Sequence, residues 1–402
     1  MALAGLEPAT FGLGNRCSIL LSYRANKLCD RHRRLCRLSY PCQWEVGPLR
    51  TILCIVCLAG AVACQEARPR IALLTSITAS EFRGLSAAGT SVVWASGRNG
   101  VFARTLDGGT NWSADSVPGA SELFFIDVHA VDASTAYLLG THFEGALARI
   151  YKTTDSGITW KMQYSDSGPG VFFDGMAFWD ADNGVAFSDP VEGSFLIVTT
   201  QNGGDTWERV PPESIPPPLP GEAGFAASGT AIAVQGTSSV WFGTGGGHVG
   251  RVFRSTDRGR TWTVAETPIT GGQTAGIFGV TFWDEMNGIA VGGDHTKPND
   301  RSDNTARTTD GGLTWALTGS SEPPGVRWGV SYSSREGGMI VVATGPSGLG
   351  FSPDSGQTWL PIDTLGFNTV AVSAFANFAW VAGVDGRIAK LELGSGRANA
   401  RP

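Results

Sequence analysis

Cysteine is absent from residue 65 to the C-terminus of this 402-residue chain. The seven cysteines all lie in the first 64 residues, at Cys17, Cys29, Cys36, Cys42, Cys54, Cys57 and Cys64. Their spacings match no zinc-binding pattern, and no pair of histidines lies nearby to complete one. The rest of the chain therefore has to fold without a disulfide, and no metal is expected.

Positive charge is also scarce after residue 64. The net charge is −6 for the whole chain and +5 for residues 1–64, which leaves −11 for residues 65–402. A charge of this sign repels phosphate, and no stripe of Lys or Arg is present. No nucleic-acid partner is therefore expected. An acidic surface is better suited to cations, basic peptides or neutral sugars.

Helical periodicity and cofactor motifs are both missing from the sequence. The Gly-rich stretch Gly243–Gly247 lies in a strand-rich region and lacks the following helix that a phosphate-binding loop requires. No haem, quinone or metal motif is present. We therefore expect an all-β protein without a cofactor, and an oxidoreductase is not favoured.

An eight-residue motif occurs six times in the chain. Each copy has Ser or Thr first, Asp or Asn third, Gly fifth and Trp eighth, and the copies lie 44 to 55 residues apart. The third positions are Asp107, Asp155, Asn202, Asp257, Asp310 and Asp354. A repeat of this length accommodates four short strands, which is typical of the blades of a β-propeller.

The residue types in the motif favour a tight turn rather than a catalytic site. An Asp or Asn side chain accepts hydrogen bonds from backbone N–H groups one or two residues further on. The Gly adopts positive φ, and the Trp buries a large face against the neighbouring repeat. Six equivalent acids are not needed for catalysis, so we interpret all six as structural.

Strand patterns between the motifs predict one domain, residues 65–396, that forms a seven-bladed β-propeller; six blades are the alternative. After the sixth motif come three strand-like runs, 369–373, 378–382 and 387–393. The run Arg70–Thr75 is the candidate for the missing fourth strand. If an N-terminal strand closes the last blade, the ring has no open junction between its ends.

The motif resembles the Asp-box (BNR) repeat of β-propellers, over about residues 70–393. The resemblance implies that each box lies between the third and fourth strands of a blade, away from the ligand face. The chain looks most like the photosystem II stability/assembly factor-like family of exported bacterial proteins. That likeness implies binding of a polypeptide partner. Sialidases share the box, but Arg70-Ile71-Ala72 lacks the Pro of their arginine motif.

The N-terminal region is predicted to be absent from the mature protein. Residues 5–25 resemble the translation product of a bacterial transfer-RNA gene, so residues 1–45 are interpreted as a non-native extension. Residues 46–64 read as a signal peptide, because Arg50 precedes an apolar stretch too short to span a bilayer. Ala61-Val62-Ala63-Cys64 resembles a lipobox with Cys64 as the lipidated residue; simple secretion is the alternative. The expected location is the bacterial periplasm or the outer membrane.

Candidate ligand-binding residues lie in loops that strand order places opposite the boxes. They are Arg83, Asp174, Asp189, Glu222, Asp294, His295 and Arg327. These residues belong to five blades, and loops on a rigid scaffold often carry function. Ordinary turn chemistry and ion pairing between neighbours are the competing interpretations.

We therefore expect an exported, assembly-factor-like binding protein that recognises a protein or peptide partner at the channel mouth. The alternative is a glycoside hydrolase or a carbohydrate-binding propeller, in which two of the carboxylates would flank a sugar. No catalytic residue is assigned. A monomer is expected, with membrane contact only through the lipid.

Overall fold

The computed structural model describes residues 68–143, 147–300, 303–318, 325–335, 338–372 and 377–394. Cys64, the signal peptide and lipobox at 46–64, and the extension at 1–45 lie outside the described residues. Strands make up nearly all of the regular structure. Two short 3₁₀ helices accompany them, Pro212–Ser214 and Val384–Gly386. Within the described ranges, no helix has the length and apolar character needed to span a bilayer.

The strands form seven antiparallel four-stranded sheets. The inner strands are β2 Phe82–Ala88, β6 Phe124–Ala130, β10 Phe173–Phe178, β14 Ile232–Gln235, β18 Ala275–Phe282, β22 Gly329–Arg335 and β26 Thr369–Val372. The second strands are β3 Val92–Gly97, β7 Ala136–Thr141, β11 Gly184–Val191, β15 Ser239–Gly243, β19 Gly288–Asp294, β23 Gly338–Gly345 and β27 Phe378–Ala382.

The third strands are β4 Val101–Thr105, β8 Ala148–Thr153, β12 Ser194–Thr200, β16 Val249–Ser255, β20 Thr305–Thr308, β24 Gly348–Ser352 and β28 Arg387–Glu392. The outer strands are β5 Ser113–Ser116, β9 Lys161–Asp166, β13 Glu208–Arg209, β17 Thr263–Thr270, β21 Ala316–Leu317, β25 Leu360–Asp363 and β1 Arg70–Ser76. Blades 1 to 6 follow in chain order, from β2–β5 to β22–β25.

Blade 7 combines the two ends of the propeller. Strands β26, β27 and β28 are followed in the sheet by β1, which pairs antiparallel with β28 from Arg70 opposite Glu392 to Ser76 opposite Arg387. The inner strands of neighbouring blades contact one another around the whole ring. The prediction of seven blades closed by an N-terminal strand is therefore confirmed.

The hydrophobic core lies between blades. One buried cluster joins Trp94 and Phe102 of blade 1 to Phe125 and Leu138 of blade 2, and similar clusters fill the other interfaces. Because each blade is a thin twisted sheet, its apolar residues are buried only when the next blade packs against it.

The six boxes form the same turn between the third and fourth strands. In the first box, Thr105 Oγ1 donates to Asp107 Oδ1 and accepts from Gly109 N, and Asp107 Oδ1 accepts from Asn111 N. Equivalent bonds recur in the other five. The Asp side chain therefore accepts from the backbone N–H four residues further on, rather than one or two as expected, and closes a larger loop.

Candidate functional site

The face opposite the boxes carries a central cleft of about 480 Å³. It is lined by Arg83, Phe143, Phe172, Gly224, Phe225, Ala226, Ala227, Phe278, His295 and Trp328. These residues come from the strands of blades 1 and 5, from loops of blades 2 and 5, and from the connections into blades 3, 4 and 6. The volume and the aromatic lining are typical of a ligand site.

β-Bulges bring side chains of the inner strands to this cleft. Strands β2, β6, β10 and β18 each carry a bulge at an equivalent place, and the unpaired residues are Arg83, Ile126, Asp174 and Phe278. A bulge leaves one residue out of the ladder and turns its side chain away from the sheet. Two of these four residues, Arg83 and Phe278, line the cleft.

The connection into blade 4 forms one wall of the cleft. We call residues 222–230 the channel segment. Ala226 O accepts from Arg83 Nη1 at 2.9 Å, and Gly229 N donates to Arg83 O at 3.0 Å. Ser228 Oγ donates to Trp328 O at 2.7 Å. The segment thus contacts blades 1 and 6 as well as its own neighbours.

Small residues allow the channel segment to lie this deep. A Cβ atom on Gly229 would come within 2.2 Å of Asp127 Oδ1 on β6. Ala226, Ala227 and Ser228 are each more than 90% buried. The sequence signal for this position is the run of small residues at 226–229.

Arg83 is held in place by charge and by aromatic rings. Its Nε donates to Glu81 Oε1 at 3.1 Å, and Glu81 Oε2 accepts from Arg98 Nε at 2.8 Å. The Arg83 guanidinium lies 4.9 Å from the ring centroid of Phe124 and 5.6 Å from that of Phe143. Burial alone would raise the pKa of Glu81, but Arg83 and Arg98 bring it below its ordinary value.

Aromatic residues dominate the rest of the cleft. Phe225 stacks on Phe278 with 4.5 Å between ring centroids, and His295 approaches Phe278 edge-on at 6.4 Å. Phe143 meets Phe172 edge-on at 5.2 Å and is 48% exposed. The sequence analysis missed Phe143, Phe172, Phe225 and Phe278, because isolated Phe residues in strands and loops read as core.

Of the seven predicted residues, Arg83 and His295 line the cleft together. Asp174 and Asp189 lie behind Gly224, which donates its N–H to Asp189 Oδ1 at 2.8 Å. Asp174 is fully buried, and burial followed by the charge of Asp189 raises its pKa well above the ordinary value. Burial also raises the pKa of Asp189, to about 6.

The other three predicted residues have local partners. Glu222 forms a buried ion pair with Arg251, in which Arg251 Nε lies 2.9 Å from Glu222 Oε1. Asp294 accepts from the hydroxyls of Thr296 and Thr274, which lower its pKa. Arg327 is buried and donates to the carbonyls of Gly325 and Val326, and burial lowers its pKa to about 10.

None of the four candidate carboxylates is among the residues that line the cleft. Across the described ranges, no group of three or more His, Cys, Asp or Glu residues has the geometry to hold a metal ion. The cleft offers aromatic faces, one imidazole and one guanidinium to a ligand.

No protein-family model and no curated protein sequence matches the chain. Its structure is similar to that of YCF48 bound to D1 peptide, with a TM-score of 0.57 and 14% identity, over 80% of this chain and 96% of the other. YCF48 from Cyanidioschyzon merolae gives a TM-score of 0.55 and 15% identity, over 79% of this chain and 98% of the other. Raptor of Chaetomium thermophilum gives a TM-score of 0.54 and 13% identity, over 94% of this chain but only 36% of the Raptor chain. At these identities the likeness shows the fold alone.

Proposed function

We propose that this chain is an exported binding protein that recognises a protein or peptide partner in the central cleft, as an assembly factor does. The observation that carries the proposal is the convergence of five aromatic rings, Phe143, Phe172, Phe225, Phe278 and Trp328, on one cleft. Phe143 is exposed, and three of the other rings are half-buried. Partly exposed aromatic surface is enriched where proteins meet other proteins.

The chemistry of the lining indicates what the partner presents. A bulky apolar side chain would bury its surface against the exposed ring of Phe143 and the half-buried ring of Phe225, at ~25 cal/mol for each Å² removed from water. Arg83 already bonds to Glu81 and to Ala226, so its guanidinium is largely satisfied before a partner arrives. The solved complex of YCF48 with a D1 peptide supports a peptide ligand for a propeller of this shape.

Export is part of the proposal and follows from the sequence preceding the propeller. The signal peptide at 46–64 and the lipobox cysteine Cys64 would place the mature protein outside the cytoplasm, at a membrane surface. A partner that is itself exported or membrane-bound would then meet the cleft.

Selection from a phage-displayed library of random peptides tests the proposal. We expect the full chain to enrich sequences with a shared bulky apolar residue, and we expect those peptides to compete with one another for the cleft. A glycan array and a set of chromogenic glycosides serve as the parallel screen. Binding or turnover in the glycan screen, with no peptide enriched, would favour the carbohydrate alternative.

A further inference from the structure

Two carboxyl groups, one fully buried and the other half-buried, lie directly behind the channel segment. Asp174, on β10, is fully buried, and neither of its carboxylate oxygens has a donor among the described residues. Asp189, near the end of β11, is the charged group that acts on Asp174. Gly224 touches both: its N–H donates to Asp189 Oδ1, and a Cβ on it would lie 2.3 Å from Asp174 Oδ2.

No free cation compensates this pair in the described part of the chain. Strands β12 and β14 carry no charged residue, and β6 contributes Asp127 and the neutral His129, whose pKa burial lowers to about 4. Glu222, in the channel segment, is paired with Arg251. Arg83, on the far side of the segment, is paired with Glu81. The charge of Asp189 therefore acts on Asp174 without a cation to compensate it.

We propose that Asp174 and Asp189 share one proton, and that this proton holds the channel segment against blade 3 and so keeps the wall of the central cleft in place. With the proton present, the hydroxyl of Asp174 donates to the carboxylate of Asp189, and that carboxylate accepts from Gly224. Loss of the proton to solvent leaves two adjacent negative charges, one of them fully buried, which repel each other and favour hydration.

The consequence is a cleft wall that loosens as the pH rises. Burial raises the pKa of both groups, so the folded wall binds a proton that the opened wall releases. The stabilisation is therefore present at low pH and is lost as the pH rises through the titration of the pair, by up to about tenfold in the opening equilibrium per pH unit. This device operates whatever ligand occupies the cleft.

Hydrogen exchange of the full chain, read by mass spectrometry, tests the proposal. Protection factors are measured for peptides that cover residues 222–230, from pH 6 to pH 10, each corrected for the intrinsic exchange rate at that pH. In the wild-type protein, protection is expected to fall by tenfold or more across this range. In Asp174→Asn, where the amide donates permanently to Asp189, the fall should be at least threefold smaller than in the wild type, and the remainder reflects the titration of Asp127 beside Gly229.

Two controls keep the outcome interpretable. Asp115→Asn removes the same charge from an exposed position on β5 and should behave as the wild type. Asp189→Asn also prevents the double negative charge, so it should flatten the profile if Asp174→Asn fails to fold. Unchanged protection up to pH 10 in the wild type, or a fall in both Asn variants of the pair as large as that in the wild type, would overturn the proposal.

Discussion

Trp380 of blade 7 and Trp112 of blade 1 meet edge to face, with 5.5 Å between their ring centroids. Trp112 is the last residue of the first box, and a Cβ on Gly109 of that box would lie 2.2 Å from the Trp380 ring. The same relation recurs around the ring. Trp241 Nε1 donates to Gly311 O at 2.8 Å, and Tyr137 Oη donates to Gly203 O at 2.7 Å. Each box thus packs against the preceding blade and holds the two blades together.

Gly109→Ala is predicted to weaken the closure of the ring. Gly109 has φ of +92° and no space for a methyl group, whereas Gly89, with φ of +82°, has no atom within 4 Å of the same position. Gly89→Ala should lower the free energy of unfolding by about 1–2 kcal/mol, because the only strain is that of an Ala in a left-handed conformation. Gly109→Ala should cost about 2–5 kcal/mol, because overpacking adds to that strain. Urea denaturation of both variants measures the difference. Equal losses in the free energy of unfolding would contradict the packing of the first box against Trp380.

Asp310→Ala is predicted to loosen the fifth box without affecting the cleft. Asp310 accepts hydrogen bonds from Thr314 N, Thr314 Oγ1 and Thr308 Oγ1. Their loss should lower the free energy of unfolding by about 1–2 kcal/mol. Asp310→Asn is the matched control, because Asn202 makes equivalent contacts with Thr206 and Thr200 in the third box. A large effect of Asp310→Asn would show that the charge matters more than the turn.

Stability is predicted to fall as the pH rises above about 4. Burial raises the pKa of Asp127 to about 8, although Met176 N and Val128 N donate to it and oppose the shift. The folded state therefore holds a proton that the unfolded state releases above its own pKa of about 4. The free energy of unfolding should decrease between pH 5 and pH 8.5, and this decrease should be smaller in Asp127→Asn, by up to about 1.4 kcal/mol per pH unit.

The comparison for that slope is Asp115→Asn, which removes an exposed charge and should follow the wild type. If Asp127→Asn has the same slope as Asp115→Asn, the proton on Asp127 does not contribute to stability. The carboxylates of the boxes act in the opposite sense. Hydrogen bonds lower the pKa of Asp310 to about 2. The stability that this carboxylate contributes is therefore lost only below about pH 4.

The mature protein is predicted to begin at Cys64. When the chain is expressed in a bacterium with an outer membrane, intact-mass measurement of the membrane fraction should give residues 64–402 plus a diacylglyceryl group and an acyl chain. Cys64→Ser should abolish the lipid and release the protein from the membrane. Recovery of a chain that still carries Met1 would refute both the processing and the interpretation of residues 1–45.

The repeat made most of the fold predictable. Six boxes of fixed composition gave the number and spacing of the blades, and their resemblance to the Asp-box implied the turn between strands three and four. The strand Phe378–Ala382 was predicted with its observed bounds. The closing strand was predicted as Arg70–Thr75, one residue short of β1. These features follow from local patterns, in which the side-chain period and the turn residues lie close together in the chain.

The cleft was less predictable, because it depends on how the blades curve into a ring. Sequence reasoning favoured charged residues, and two of them, Arg83 and His295, line the cleft. It gave no means of knowing that Glu222 has Arg251 as a neighbour 29 residues away. Nor did it indicate that Phe225 and Phe278 stack, since the register between two blades is set by packing rather than by local sequence.

The central claim is that the cleft binds a polypeptide, and Phe143→Ala tests it most directly. Phe143 lines the cleft and is 48% exposed, so its truncation should leave the fold intact. Leu313→Ala is the matched control, because Leu313 is 58% exposed in the fifth box, on the opposite face. The measurement is the affinity of a library-selected peptide for the wild type and both variants, by isothermal titration calorimetry. We predict a loss of tenfold or more for Phe143→Ala, or about 1.4 kcal/mol, and no change for Leu313→Ala; equal affinities for all three proteins would contradict the account.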